Sequence, residues 1–324
     1  MNIRKPGRYP LTVFAPASIG NLSVGFDALG LALAPTDGTL LGDLVQLSPL
    51  SKGGDWRLDL NGPFARELPA DPEDNIVIAC CRVYQAAAAE HGVEIAPLKA
   101  LLSKRLPIGS GLGSSASSIV ATLEALNRWH DNLLSLGEVF RLMAEMEGRI
   151  SGEIHLDNVA PSRYGGLRLC PPGSPHEYGL PWPGAWRAVV CWPGTRLDTR
   201  AAREVLPEQI PRRVAVRHGA QFAKFVHALH TGKTRLAAEC VVDHIAEPYR
   251  RELLPGFDEA RSELQKLGAL AVGISGSGPT VFALVDDFEV ARRTRDWLAG
   301  HYQQNERGFA HICRADLGGA RTVD

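Results

Sequence analysis

The first half of the chain alternates short apolar segments with stretches of helical periodicity. Apolar runs bounded by Gly, Pro and Asp predict four strands, at residues 11–14, 41–50, 56–60 and 95–102. An alanine-rich stretch predicts a helix over residues 75–91, with Asp74 as its cap and Gly92 at its end.

Two amphipathic helices are predicted next. The first begins near Ser114 and buries one face, because its apolar residues recur at three- and four-residue spacing: Ala116, Val120, Leu123 and Leu126. The second is capped by Ser135 and is expected to end at Gly148.

The segment between Cys170 and Gly184 holds five prolines and little periodicity, so it predicts a boundary between two domains, residues 1–172 and 173–324. Beyond it, apolar runs predict four more strands, at residues 188–192, 270–274, 281–285 and 309–313. Amphipathic stretches predict four more helices, at residues 212–230, 235–243, 259–267 and 290–299. This order favours an α+β fold with helices on one face of a sheet.

The most informative segment joins a predicted strand to the helix that begins near Ser114. Three alternating glycines free its backbone to turn N–H groups toward a ligand, and serines follow at the start of the helix. Aligned N–H groups and the positive end of a helix dipole bind anions, phosphate above all. The candidate residues for nucleotide binding in this loop are Pro107, Ile108, Gly109, Ser110, Gly111, Leu112, Gly113, Ser114, Ser115, Ala116 and Ser117.

Two other kinds of phosphate loop fit this segment less well. A Walker A loop needs a lysine before its Ser or Thr, and no lysine follows Gly113. The spacing of Gly111, Gly113 and Ala116 does match the loose dinucleotide-binding fingerprint. However, the acid about 20 residues on, Asp131, falls between two predicted helices instead of at a strand end. Dinucleotide binding therefore stays the second candidate.

Composition narrows the class of protein. Hydrophobic residues make up 45% and charged residues 22% of the 324, which is typical of a folded globular chain. The net charge is -1, so no basic excess indicates nucleic acid or an anionic membrane as a partner. No apolar region follows Arg4, Lys5 and Arg8 as in a signal peptide, and no segment approaches the about 20 apolar residues of a spanning helix. We expect a cytoplasmic protein whose six cysteines are reduced.

Three motifs carry a family resemblance. The glycine loop, PIGSGLGSSAS, resembles the nucleotide loop of the GHMP small-molecule kinases, and the other two motifs of these kinases are APASIGNLSVGFDALGLAL (15–33) and GISGSGPTVFAL (273–284). Over essentially its whole length the chain is similar to homoserine kinases, at GRISGEIHLDNVAPSRYGG (148–166), TRAAREVLP (199–207) and IAEPYRRELLPGFDEAR (245–261). The resemblance implies a two-domain GHMP kinase fold, with an N-terminal domain like ribosomal protein S5 and a ferredoxin-like C-terminal domain.

The resemblance also implies which residues bind the acceptor. L-Homoserine carries a carboxylate, an ammonium group and a terminal hydroxyl. Arg203 and Arg250 resemble the carboxylate clamp, a role that suits a guanidinium fork. Asn21 and Asp27 resemble the contacts to the ammonium and hydroxyl groups, and His155 resembles a donor to the substrate. Without the motifs, a surface ion pair would be the ordinary fate of such arginines.

For the nucleotide and its metal, the resemblance implies Glu147 and Ser114 as ligands of Mg²⁺, an ion that prefers oxygen donors. Glu145 is the competing acid and is expected to be a solvated helix residue. Asn75 resembles a residue that contacts adenine, although a helix cap formed by Asp74 would explain that pair nearly as well.

The reaction implied is phosphoryl transfer from ATP to L-homoserine, which gives O-phospho-L-homoserine for threonine synthesis. Because no Walker lysine is present, Mg²⁺, backbone N–H groups and the helix terminus are expected to stabilise the transferring group. Glu147, Asn21 and Arg203 are expected to carry the reaction, and no general base is assigned. The alternatives are a GHMP kinase acting on mevalonate or a sugar, and a dinucleotide-binding or regulatory protein without transfer activity. Whether the protein is a homodimer is left open.

One position departs from the family pattern. Homoserine kinases commonly have Ser-Ala-Asn or Thr-Ala-Asn where this chain has Ile19-Gly20-Asn21. The asparagine is present, but the backbone freedom of Gly20 leaves the direction of the Asn21 side chain open.

Overall fold

A computed structural model describes residues 2–3, 10–50, 54–152, 154–174 and 176–323. The basic residues Arg4, Lys5 and Arg8 of the sequence analysis lie outside the described residues. Within the described ranges, every helix is too short or too polar to pass through a lipid bilayer.

The strands form two main sheets and one short pair. In chain order the strands are β1 (Asn2–Ile3), β2 (Leu11–Pro16), β3 (Ser18–Gly20), β4 (Leu29–Pro35), β5 (Gly42–Ser48), β6 (Arg57–Asn61), β7 (Val93–Glu94), β8 (Lys99–Ser103), β9 (Leu167–Leu169), β10 (Tyr178–Leu180), β11 (Arg187–Trp192), β12 (Ala271–Ile274), β13 (Val281–Val285), β14 (Phe309–Ala315) and β15 (Arg321–Val323).

The helices are distributed through both halves of the chain. They are α1 (Ile76–Glu90), α2 (Ser114–Trp129), α3 (Leu136–Ser151), α4 (Val159–Tyr164), α5 (Thr199–Glu204), α6 (Arg212–His230), α7 (Thr234–Glu239), α8 (Glu247–Arg250), α9 (Phe257–Leu267) and α10 (Phe288–Trp297). Short 3₁₀ helices cover Ala65–Glu67, Pro72–Asp74 and Arg251–Leu253, and a π-helical turn covers Leu298–Tyr302.

The first main sheet has the order β15-β2-β5-β8-β6, and helices α1, α2 and α3 share a buried apolar core with it. The second main sheet has the order β10-β9-β4-β14-β11-β13-β12, with β3 paired to β4. Four strands of its second half lie in the order β14-β11-β13-β12, which is the 4-1-3-2 order of a ferredoxin-like unit. The predicted α+β fold is confirmed.

The sheets take strands from both halves of the sequence. Strand β4 pairs with β14, and the last strand, β15, pairs with β2 in the first sheet. The division at residues 172 and 173 remains a prediction, and both main sheets join strands from its two sides.

Several helix ends differ from the sequence predictions, and two of these differences have a clear physical reason. Asn75, not Asp74, caps α1, because its side chain accepts a hydrogen bond from the N–H of Val77 while Asp74 belongs to a preceding 3₁₀ turn. Helix α3 continues past Gly148 to Ser151, and the left-handed conformation of the next residue, Gly152 (φ 83°), ends it. Its predicted start is confirmed, since Ser135 forms a capping box with Glu138.

Candidate active site

The glycine loop lies between β8 and α2 and has three glycines in the left-handed region, Gly109, Gly111 and Gly113, with φ values of 64°, 80° and 68°. A side chain at Gly111 would collide with the carbonyl oxygens of Ser275 and Gly278. The loop therefore needs glycine both for its backbone conformation and for its close approach to neighbouring segments.

Backbone carbonyls anchor this loop to the other motifs. Ser110 O accepts a hydrogen bond from the N–H of Thr280, and Gly111 O accepts one from the hydroxyl of Ser275 at 2.6 Å. Leu112 O accepts a hydrogen bond from the N–H of Ser18. In the described part of the chain, the N–H groups of the three loop glycines donate to no protein acceptor. Together with the N-terminus of α2, they form the kind of site that binds phosphate.

The serines that follow the loop point in different directions. Ser114 donates its hydroxyl hydrogen to Leu106 O at 3.2 Å, and Ser117 donates to Ala15 O at 2.7 Å. Ser115 instead lies against the carboxylate of Glu147, with its Oγ 3.1 Å from Oε2. The structure thus brings Ser115 to Glu147 and places the Ser114 hydroxyl elsewhere, so the role of Ser114 as a metal ligand remains only a prediction.

A buried ion pair supports the start of α2, and the sequence analysis did not find it. Lys104 donates from Nζ to Asp43 Oδ2 at 2.5 Å, to Ser114 O at 2.9 Å and to Ser118 Oγ at 3.0 Å. Asp43 is fully buried and also accepts hydrogen bonds from the backbone N–H groups of Arg105 and Leu106. Its Oδ1 therefore fixes the backbone immediately before the glycine loop.

The residues predicted to bind the acceptor come together around Asp27. Its Oδ1 lies 3.6 Å from His155 Nδ1 and 3.5 Å from Arg203 Nη2, with all three side chains partly exposed. Arg250 is 3% exposed and donates to Ala202 O, next to Arg203, and to Gly276 O. A carboxylate and cations thus converge from segments distant in sequence.

Arg250 is held in place by a local framework. The carboxylate of Asp243 accepts hydrogen bonds from the backbone N–H groups at the start of α8, the short helix that carries Arg250. Glu247, the first residue of α8, makes a two-pronged ion pair with Arg261 on α9. These contacts fix the start of α8 and thus give Glu247 and Arg261 of the 245–261 motif a structural role next to Arg250.

Asn21 joins the first motif to the third. Its Oδ1 accepts a hydrogen bond from the N–H of Asp27 at 2.8 Å, and its Nδ2 donates to Gly276 O at 3.0 Å. An amide nitrogen carries two hydrogens, so one remains for a ligand. The predicted contact of Asn21 with substrate is compatible with this geometry and stays a prediction.

Two buried carboxyls lie between the phosphate loop and the acceptor residues, in the region that we call the cleft. Burial raises the pKa of Glu147 to about 7, against the lowering effects of the Ser115 hydroxyl and the charge of Arg203. Burial also raises the pKa of Asp157 to about 7, and the negative charges of Asp27 and Glu147 act in the same direction. Groups shifted in this way are typical of functional clefts.

The oxygen donors beside the loop fit an ion delivered with ATP. Mg²⁺ in nucleotide sites is commonly held by one or two carboxylates, with phosphates and waters completing the shell. Glu147 with Ser115 supplies one such carboxylate beside the phosphate loop. The described residues contain no cluster of three or more His, Cys, Asp or Glu that could hold a metal by themselves.

Asn75, predicted to contact adenine, is 1% exposed at the start of α1. Its Oδ1 is used by the helix cap, and its Nδ2 has no hydrogen-bond partner among the described residues. The cap accounts for the asparagine structurally, and the adenine contact remains a prediction.

A cavity of about 290 Å³ is lined in part by Asp27. Its wall is mainly apolar and comes from α3 and the residues around the end of β9, among them Phe140, Ala144, Leu156 and Pro171. Asp27 therefore borders an apolar cavity as well as the charged cluster.

Two family models match the chain. The model described as "GHMP kinases N terminal domain" matches residues 75–166, which contain the glycine loop, Glu147 and Asp157. The model described as "GHMP kinases C terminal" matches residues 225–303, which contain Arg250 and the third motif. The matched regions thus include both sides of the cleft.

Several solved structures are similar to the chain. Homoserine kinase from Cytophaga hutchinsonii is 32% identical, with 99% of this chain and 100% of that chain covered and a TM-score of 0.88. A putative homoserine kinase from Listeria monocytogenes is 24% identical, with 97% and 99% covered and a TM-score of 0.70. L. major mevalonate kinase, solved with R-mevalonate, is 15% identical, with 96% and 98% covered and a TM-score of 0.66. The last two likenesses establish a shared fold only.

Proposed function

The chain belongs to the GHMP kinases, as its three motifs predicted, and we propose that it transfers the γ-phosphoryl group of ATP to the hydroxyl of L-homoserine. The observation that carries the proposal is the convergence of Asp27, His155 and Arg203, with Arg250 beside them. This cluster offers both signs of charge, which a zwitterionic acceptor needs and a sugar does not.

The acceptor is bound through its charged groups. Arg203 and Arg250 bind the carboxylate, since guanidinium groups form strong paired hydrogen bonds with carboxylates. Asp27 accepts hydrogen bonds from the ammonium group, and His155 donates to the substrate. The apolar cavity beside Asp27 gives room to the methylene carbons of the acceptor.

The phosphate loop and Glu147 serve the other substrate. The N–H groups of Gly109, Gly111 and Gly113 bind the ATP phosphates at the N-terminus of α2. Glu147 and Ser115 hold the Mg²⁺ that accompanies ATP. When bound, this ion neutralises charge on the phosphoryl group as it is transferred. Phosphoryl transfer depends mostly on such positioning and charge stabilisation.

The proposed reaction also implies a place for the protein in threonine synthesis. Making O-phospho-L-homoserine provides the precursor of threonine, and we propose that the protein does so in the cytoplasm. The likeness to mevalonate kinase is one of fold alone, so it favours no second acceptor.

An acceptor panel tests the proposal. The purified protein is incubated with MgATP and L-homoserine, mevalonate or galactose, and phosphorylated product is measured by ³¹P NMR. We expect product with homoserine and none above background with the other two. Faster transfer to mevalonate or galactose contradicts the homoserine assignment.

A second measurement separates a kinase from a dinucleotide-binding protein. We expect MgATP to raise the thermal midpoint of unfolding in a saturable way, because a ligand of the native state stabilises it. NAD and NADP should not. Stabilisation by either dinucleotide and none by MgATP overturns the nucleotide assignment.

A further inference from the structure

Asp157 lies in the cleft but has no role in the proposed reaction. It is 4% exposed, and its Oδ2 accepts hydrogen bonds from the backbone N–H of Asn21 at 3.2 Å and from Asn158 Nδ2 at 3.3 Å. The carboxylate therefore contacts the peptide group of a residue whose side chain joins two motifs.

The backbone that Asp157 contacts adopts an unusual conformation. Asn21, Leu22 and Ser23 have φ values of 66°, 43° and 58°, three consecutive left-handed residues that are not glycine. Such conformations are costly for residues with a Cβ and persist where the surrounding structure holds them. The turn needs contacts from outside itself.

The Asn21 turn sets the geometry of the acceptor cluster. Asn21 Oδ1 accepts a hydrogen bond from the N–H of Asp27, and Asn21 Nδ2 donates to Gly276 O. Gly276 O is also an acceptor for Arg250. If the Asn21 peptide rotates, Asp27 and the carbonyl beside Arg250 lose their common partner.

Gly20 makes room for this arrangement. A Cβ at Gly20 would lie 2.6 Å from Asp157 Oδ2 and 2.8 Å from Asn158 Nδ2. The carboxylate of Asp157 occupies the space that a side chain at residue 20 would need. This is a physical reason for glycine where homoserine kinases commonly have alanine.

We infer that Asp157 is a positioning residue, which holds the left-handed Asn21 turn by accepting its N–H and thereby fixes Asp27 relative to Arg250. This inference rests on the proposed function only for the identity of the phosphoryl acceptor, L-homoserine. Asp157 acts through Asn21, so a neutral side chain with an oxygen in the same place can replace it.

Two substitutions at this position separate positioning from chemistry. Asp157→Ala removes the acceptor, and we expect it to lower kcat/KM for homoserine about tenfold or more, the effect of losing a hydrogen bond to a charged group. The dissociation constant of MgATP should stay within about twofold, because the phosphate loop is held by other contacts. Asp157→Asn keeps an oxygen acceptor and should stay within about threefold of wild type.

Hydrogen exchange measures the contact between Asp157 and the Asn21 N–H without any substrate. The amide of Asn21 should exchange faster in Asp157→Ala than in wild type and remain protected in Asp157→Asn, because the lost acceptor exposes that N–H to opening. Asp316→Ala is the matched control, since Asp316 is also buried and accepts two backbone N–H groups but contacts none of the cleft residues. It should leave the Asn21 amide and the homoserine kinetics unchanged.

The outcomes divide cleanly. If Asp157→Asn keeps the Asn21 amide protected but is as inactive as Asp157→Ala, the carboxylate itself takes part in the chemistry. That result overturns the inference. An alanine variant that matches wild type in both measurements overturns it as well. If wild type uses a different acceptor, the proposed function fails while the hydrogen-exchange result still decides the role of Asp157.

Discussion

Two groups of charged residues, one at the start of α2 and one around Asp27, differ in how deeply they are buried and in how closely their charges approach. At the start of α2, Lys104 and Asp43 are both buried. Lys104 Nζ lies 2.5 Å from Asp43 Oδ2, and each residue makes further hydrogen bonds. In the cleft, Asp27 lies 3.5–3.6 Å from Arg203 and His155, and all three are partly exposed.

The difference distinguishes a scaffold from a binding site. A buried pair with all its hydrogen bonds made holds one conformation and has little capacity left for a ligand. A partly exposed cluster whose charges lie 3.5–3.6 Å apart can exchange these contacts for contacts with a ligand. The predictions below test whether the Lys104 pair serves stability and the Asp27 cluster serves binding.

The largest effect is expected at Glu147. Glu147→Ala should lower kcat about a thousandfold or more, because it removes the carboxylate for a metal that contributes several kcal/mol to phosphoryl transfer. Stability should fall little, since the burial that raises the pKa of this carboxyl to about 7 makes its ionised form unfavourable in the fold. Steady-state kinetics and urea unfolding measure the two effects.

Glu145 on the same helix supplies the control. Its carboxylate is solvent-exposed and paired with Arg149 at 2.7 Å, so Glu145→Ala should leave activity near that of wild type. An inactive Glu145→Ala beside an active Glu147→Ala would reverse the metal assignment.

The scaffold pair should show its effect in stability. Lys104→Met should lower the free energy of unfolding by about 3–5 kcal/mol, because it leaves the Asp43 carboxylate buried without its cation. Lys99→Met is the matched control, since Lys99 makes an exposed ion pair with Asp59 at 2.6 Å and should cost less than about 1 kcal/mol. Equal losses in urea unfolding would mean that the buried pair is no scaffold.

The cleft arginines should show the opposite pattern. Arg203→Ala should reduce kcat/KM for homoserine about a hundredfold, as expected for losing a two-pronged contact with a carboxylate, while the MgATP dissociation constant barely changes. Arg250→Ala should match it in kinetics and cost more stability, because Arg250 is 3% exposed and bonded to two carbonyls. Collapse of ATP affinity with homoserine use intact would assign these arginines to phosphate.

The smallest effect is a pH dependence of the metal-free protein. The pKa values of Glu147 and Asp157 are raised to about 7 in the fold, whereas carboxyls in an unfolded chain titrate near pH 4. The folded state therefore binds more protons between about pH 4 and 7, and this contribution makes stability fall as pH rises through that window. Urea unfolding at pH 5, 6 and 7 should show a shallower fall in Glu147→Gln. A steeper fall in that variant contradicts the assignment.

The parts of the site that could be predicted from sequence are those whose signal is local. The three glycines predict a loop, because few other residues adopt left-handed conformations. Ser135 with Glu138 predicts the start of a helix. The choice between Ser114 and Ser115 depends on helix phase, since consecutive residues differ by about 100° around the axis. Composition alone does not give that phase.

Long-range pairing could not be predicted in the same way. Asp43 stands 61 positions from Lys104, and neither lies in a motif, so nothing in the sequence brings them together. The cap of α1 could not be predicted for a similar reason. Asp74 and Asn75 are both residue types that cap helices well, and Asn75 is the cap because Asp74 belongs to the preceding 3₁₀ turn. The pairing of β4 with β14 likewise depends on tertiary contacts.

One set of rate measurements tests the central claim, that the Asp27 and arginine cluster binds a zwitterionic acceptor. kcat/KM is measured for wild type with L-homoserine, with 4-hydroxybutanoate, which lacks the ammonium group, and with 3-aminopropan-1-ol, which lacks the carboxylate. We predict that each analogue is used about a hundredfold less well than homoserine, because each leaves a charged partner in the cleft unmatched. Equal use of 4-hydroxybutanoate and homoserine would contradict the role of Asp27, and equal use of 3-aminopropan-1-ol and homoserine would contradict that of Arg203 and Arg250.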